Sequence, residues 1–484
     1  MATDRRTFLR GGALTAAALM AARSLPAGAS PVAEPSFPTG GGAGPAGSLP
    51  PGVVPVETPD VPRLPWRWDG PVKVFELVAE PVQSRFVPWR EPFNTWGYNG
   101  STPGPTIEAV EGDRVRIVLE NRLPEETAIH WHGLETPWEL EGVPGLQQDP
   151  VAPGGRFEVE FTLEQNGTFF YHSHMPMQEM MGMVGFFIVH PRRPHLPRVD
   201  RDFAILLQEW AILPGNPTPN TLAMEFNWLT FNGKSGPAAT PMLAQVGERI
   251  RLRFVNLGMD HHPMHLHGHQ WVVTGTEGGR APEATWRPGN TEIVGVAQAR
   301  DLEFVARREG EWMLHCHLPH HMMNHMVSMV GPLSSPGLGV AGGGSMEEGM
   351  GMPHGGHALG ESQGPSFGRT LGAGNEEQPT GHQAMGHHHG AGHAGPMQFN
   401  PVPPEARQVP GYPQDMFMAM DQEVEKPETF GLRPTWTAGM MGMMTLVRVL
   451  SPEKYQHIQE LKRRQKESAE PAEHHHHHPT GGGR

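Results

Sequence analysis

The 484-residue sequence predicts an all-β protein in which one sandwich or barrel unit is used twice. Three observations predict it. Short β-branched and aromatic runs alternate with Gly/Pro turns from residue 66 to about 192, and again from residue 203 to 330. The two stretches repeat each other's landmarks. Each also carries two His-x-His pairs, which in strands put both imidazoles on one face.

The elements follow in order. Candidate strands in the first stretch are residues 72–78, 114–119, 156–163 and 186–189. Those in the second are 205–210, 249–255, 271–274 and 303–306. The repeat is visible in the motifs. Asn99-Gly100 leads through residues 105–114 to His130-Trp131-His132-Gly133, as Asn232-Gly233 leads through 241–249 to His265-Leu266-His267-Gly268. Asn166-Gly167 then runs into His172-Ser173-His174, as Glu309-Gly310 runs into His315-Cys316-His317.

Around this body the chain changes character. Arg5-Arg6-Thr7-Phe8-Leu9, a short apolar run and Ala27-Gly28-Ala29 read as a twin-arginine export signal over 1–29, with a periplasmic or extracellular destination. Residues 30–65 read as a Pro/Gly-rich linker. The two β-domains are placed at 66–192 and 200–333, followed by a disordered Gly/Met/His-rich segment over 334–410. Residues 411–468 read as a Met-rich segment with a strand at 445–450 and a helix from Ser451-Pro452 to about Lys466. The tail, 469–484, holds His474–His478, either a purification tag or a native metal-catching run.

Composition narrows the function. The net charge of -14 excludes a nucleic-acid partner needing a basic face. No stretch is long and apolar enough to span a membrane. One cysteine excludes an internal disulfide, while 29 His and 28 Met exceed what cores need.

That cysteine is the most informative residue. In a strand, the Cys316 thiol faces one way and the imidazoles of His315 and His317 the other, which joins two metal sites through a short covalent path. Thiolate, imidazole and thioether together select copper. His262 stands three residues before His265, His321 five after Cys316, and Met326 ten after. Two His, a Cys and a weak axial Met form the trigonal blue-copper electron-transfer set. His320, Met322, Met323 and His325 are neighbouring competitors, ranked lower on spacing. The same offsets in the first domain land on Thr127, Ser173, Gln178 and Met183, which lack thiolate and imidazoles, so that domain holds no blue copper. The eight histidines of the four pairs would be intolerable together without cations. Four come from each domain, which puts their site at a domain–domain interface.

These four motifs resemble those of the multicopper oxidases, over about residues 66–330. Residues 175–261 separate the second and third motifs, which leaves no room for a middle domain. The chain therefore resembles the two-domain, laccase-like bacterial type with type 1 copper in the second domain. The resemblance implies two cupredoxin-like Greek-key sandwiches. It implies type 2 copper on His130 and His265. It implies a type 3 pair on His132, His172, His174, His267, His315 and His317. It also implies a homotrimer whose clusters lie between the first domain of one subunit and the second of the next. The expected reaction takes single electrons from Cu(I), a phenol or an aromatic amine, and reduces dioxygen to water through Cys316, His315 and His317. Glu141, where the family usually has Asp, is the candidate proton relay. The Met-rich surroundings, Met175, Met177, Met180, Met181 and Met183 and then Met322, Met323 and Met329, fit either a cuprous-oxidase, copper-resistance role or core filling. Two alternatives are a non-catalytic copper-sequestering protein and a copper nitrite reductase, although the latter should carry its type 1 cysteine where Ser173 stands.

Overall fold

In the computed structural model, residues 49–213, 215–322, 324 and 419–469 are described. The export signal, the 334–410 segment and the tail beyond residue 469 lie outside them. The described chain forms two β-sandwiches and one long helix.

The first sandwich has two sheets. One runs β1 (Trp66–Asp69), β2 (Val72–Ser84), β5 (Arg114–Asn121) and β7 (Arg156–Thr162), with β3 (Phe93–Tyr98) also on β2. The other runs β4 (Gly104–Val110), β9 (Val184–His190), β8 (Gly167–Ser173) and β6 (Ile129–His132). Phe75, Ile117, Trp131, Phe169 and Phe187 meet between them.

The second sandwich repeats the plan. Its larger sheet runs β11 (Trp228–Phe231), β10 (Arg201–Trp210), β13 (Arg249–Asn256), β19 (Ala299–Val305), β15 (Trp271–Thr276) and β16 (Gly279–Arg280), with β17 (Arg287–Gly289) on β15. The other runs β12 (Met242–Gln245), β21 (Met444–Leu450), β20 (Gly310–Cys316), β14 (His262–Leu266) and β18 (Thr291–Val294). Pairing follows the repeat closely. β2 is parallel to β5 as β10 is to β13, and β4 is parallel to β9 as β12 is to β21. Both Asn-Gly turns repeat too. Asn99 and Asn232 sit at φ 52° and 51°, ahead of glycines at 72° and 74°. Asn and Gly tolerate this left-handed pair, which right-twisted strands need.

The second sandwich is not complete at residue 333. Its sheet needs β21, which lies parallel to β12 and antiparallel to β20. Helix α1 (Pro452–Ala469) follows, with Tyr455 and Ile458 docked on Leu243 and Leu450. The expected linker also ends early. Val56 and Leu64 are buried, and Glu57 and Arg63 bridge to Phe203 and Thr106. Two apolar side chains and the 2.8 Å Arg63–Glu108 ion pair hold this segment on the body.

The sandwiches pack face to face. Phe170, Phe186 and Ile188 from β8 and β9 bury against Ala204, Leu206 and Val255 of the larger second sheet. Beside them Arg253 grips Asp202 at 2.7 and 2.9 Å and donates to Thr168 Oγ1 at 2.7 Å, all buried. β9 is thus covered on both faces, which is why every residue of its sequence Val-Gly-Phe-Phe-Ile-Val-His is buried. β14 and β20 belong to the other second-sandwich sheet.

Candidate metal centres

Strand register builds the first histidine group. β6 and β8 pair so that His130 lies opposite His172, and cross-strand neighbours are close enough for their side chains to touch. His130, His132 and His172 bring ligand nitrogens within 4.8 Å of one another. His174, one residue past β8 and exposed, completes a quartet with its ring 5.6 Å from that of His130. Hydrogen bonds set the ring orientations. His130 Nδ1 donates to the Glu141 carbonyl at 2.8 Å and His172 Nδ1 to the Ser173 carbonyl at 2.9 Å. Their Nε2 atoms are left as lone pairs. Burial pulls His132 and His172 down to about 4, so both rings are neutral and ready to ligate at neutral pH.

β14 and β20 repeat the device, with His265 opposite His315. His265, His267 and His315 form the second group, and exposed His317 lies 5.5 Å from His265 by ring centroids. His315 Nδ1 donates to the Cys316 carbonyl at 2.8 Å. Its Nε2 then faces His267 Nε2 across 3.1 Å. Among the described residues, no ring contact or shared ligand group joins the two quartets within one chain.

The third group lies on the opposite face of β20. Cys316, His262 and His321 are all fully buried. Cys316 Sγ lies 3.7 Å from His262 Nδ1 and 3.6 Å from His321 Nδ1, and those nitrogens are 3.1 Å apart. His262 Nε2 donates to Glu209 Oε2 at 3.0 Å, which leaves Nδ1 as a lone pair aimed inward. His321 Nε2 is 3.3 Å from Asp260 Oδ2 but makes no hydrogen bond. Burial pushes the Cys316 thiol up to about 12 and His321 down to about 3.

The donor set fits a metal. The point equidistant from Sγ and the two Nδ1 atoms, taken from those three separations, lies about 2.0 Å from each, a metal–ligand bond length. Thiolate and imidazole in a dry trigonal pocket are copper ligands, and a bound cation deprotonates the thiol. The first sandwich makes the contrast. There Thr127 Oγ1 and Ser173 Oγ each donate to Gln178 Oε1 at 2.7 Å, so hydroxyls and an amide satisfy one another where the second sandwich converges S and N.

All eight pair histidines thus fall into two quartets, and His262, Cys316 and His321 into one triad. Met326 lies outside the described residues. Glu141 touches the first quartet through its backbone carbonyl rather than its carboxylate. The sequence reading missed two carboxylates. Glu209 buttresses His262 from the end of β10, a position with no local motif. Glu179 places Oε2 3.4 Å from His172 Nδ1, and burial lifts it to about 7. Its place in the loop after the second His-x-His pair was the available signal.

Several known proteins are similar to this chain in sequence. The curated relatives include a copper resistance protein A homolog of Pseudomonas syringae pv. tomato, 41% identical over 113 residues, 23% of this chain and 19% of that protein. L-ascorbate oxidase of Cucurbita maxima is 36% identical over 159 residues, 29% and 27% of the two chains. Laccase-2 of Botryotinia fuckeliana is 35% identical over 187 residues, 34% and 32%. The chain spans about a fifth to a third of the length of these relatives. A solved blue copper oxidase from Nitrosomonas europaea shares 30% identity over 51% of this chain and 81% of that one, with a TM-score of 0.47. Family models described as multicopper oxidase match residues 84–194 and 212–331, one on each sandwich, and the chain belongs to the multicopper oxidase family.

Proposed function

We propose that this chain is a copper oxidase that takes single electrons from a donor and reduces dioxygen to two waters with four electrons and four protons. The observation that carries the reading is the two-sided placement of β20. Cys316 Sγ faces the buried triad while His315 faces the second quartet. His262, Cys316 and His321 would hold type 1 copper. His130 and His265 would hold type 2, and His132, His172, His174, His267, His315 and His317 the type 3 pair. When bound, copper supplies one-electron acceptance at the triad and dioxygen reduction at the histidines.

The chain's own residues provide the rest. The Cys316 side chain and backbone, with the 2.8 Å bond from His315 Nδ1 to the Cys316 carbonyl, form a short path of protein atoms between the two faces. Glu209 fixes the His262 tautomer and keeps that edge dry. Glu141 and Glu179 border the first quartet and are the candidate proton relays; E141Q and E179Q, assayed separately for oxygen uptake, distinguish them. We assign the complete histidine site to two chains, with one copy's first quartet meeting another's second in a closed ring, consistent with a homotrimer. The separation of the quartets within one chain supports this.

For the donor we favour Cu(I). Met440 and Met444 are buried in one cluster with Met313 and Met322 packed on them, Met322 next in sequence to His321 and Met444 opposite His315, and thioethers prefer the cuprous ion. This supports a copper-resistance role after export. Oxygen uptake by copper-loaded protein, comparing Cu(I) with a phenol, tests it. Faster uptake with the phenol would move the reading to a laccase, and no uptake with either donor would favour copper sequestration.

A further inference from the structure

We infer that Met443, not Met326, supplies the thioether beside His262, Cys316 and His321, and that residues 323–439 are an insertion within that ligand loop. The inference rests on the copper reading above.

The internal repeat carries it. In the first sandwich Met180-Met181-Gly182-Met183 precedes β9, and in the second Met440-Met441-Gly442-Met443 precedes β21. Both glycines sit at positive φ, 109° and 64°. The Ser173 N–H donates to the Met183 carbonyl at 3.0 Å, and the Cys316 N–H donates to the Met443 carbonyl at the same distance. The Met183 N–H donates to the Gln178 carbonyl at 3.3 Å, and the Met443 N–H to the His321 carbonyl at 3.0 Å. Ser173 and Gln178 are the first-sandwich counterparts of Cys316 and His321, so Met443 is the counterpart of Met183.

Met443 is therefore tied by its own backbone to both proposed ligands. Its side chain is fully buried in the same apolar cluster as Cys316. Counting ten residues from Cys316 reaches Met326 only if the two loops have equal length. They do not, because β21 rather than a strand directly after His321 lies beside β20. Met322 and Met440, which flank the insertion, pack in one cluster. Both ends of the inserted segment thus meet at the triad. An axial thioether of this kind tunes the reduction potential of a trigonal copper site.

The test uses the full chain loaded with copper, reading the visible absorption, the electron paramagnetic resonance spectrum and the potential of the triad. M443L conserves volume and removes the thioether. It is expected to raise the potential and alter both spectra, while M326L overlays the parent. Altered spectra or potential in M326L would overturn the inference, as would an M443L protein identical to the parent. Should M443L not fold, M326L still decides by the same criterion. A parent protein that binds copper but stays colourless defeats the underlying copper reading instead, which is a different result from a blue parent with an indifferent M443L.

Discussion

At the residue scale, partners matter more than the ligands alone. Glu209 is fully buried against His262. E209Q is expected to weaken copper retention at the triad by about 10–100-fold, measured by competition with a chelator, because it loosens the ring it orients. Asp202 tests a structural role. Burial alone would raise its carboxyl, but the charges of Arg253 and Arg251 outweigh that and hold it below the usual range. Removing one partner of such a buried pair costs about 3–5 kcal/mol. D202N should accordingly melt lower at neutral pH. A depressed folded pKa contributes stability above the ordinary carboxylate pKa, and that contribution is lost as pH falls through the folded value. The gap in melting temperature between parent and D202N should therefore narrow on acidification, and a constant gap would show that the charge is not responsible. The candidate quartets and Cys316 were legible because His-x-His and His-Cys-His alternate by one residue on strands. Glu209 and Asp202 were not, since their partners, His262 and Arg253, lie far along the chain.

At the element scale, most strands were legible because β-branched runs between turns mark them. Their ends were less so. β2 runs to Ser84 and β9 begins at Val184, beyond the predicted runs, where pairing extends a strand past its hydrophobic stretch. The larger surprise is β21. The sequence marks it as a strand but cannot show which sheet it joins across so long an insertion. Truncation after Pro332 removes it, and with it Val447 and Val449 from the core, which leaves the β12 and β20 edges unpaired. That variant should be insoluble or unfolded, whereas deletion of 334–410 alone should keep the circular dichroism of the parent. A well-folded Pro332 truncation would show that β21 is dispensable.

At the scale of the whole molecule, the two half-sites on one chain are proposed to be completed by a second chain. A variant lacking the first quartet (H132A, H172A) and one lacking the second (H267A, H315A) should each be inactive alone. Assembled together at random, they should recover about a quarter of parent sites, since each interface needs one intact half from each neighbour. No recovery on mixing, with both variants assembled, would place the site within a single chain.

The most direct measurement of the central claim is oxygen uptake by copper-loaded parent and C316S, with visible spectra recorded alongside. The parent is expected to be blue and to consume one dioxygen per four donor electrons without releasing peroxide. C316S should lose the blue band and the uptake while the histidine quartets still bind copper. A colourless parent, or C316S consuming oxygen at the parent rate, would contradict the account.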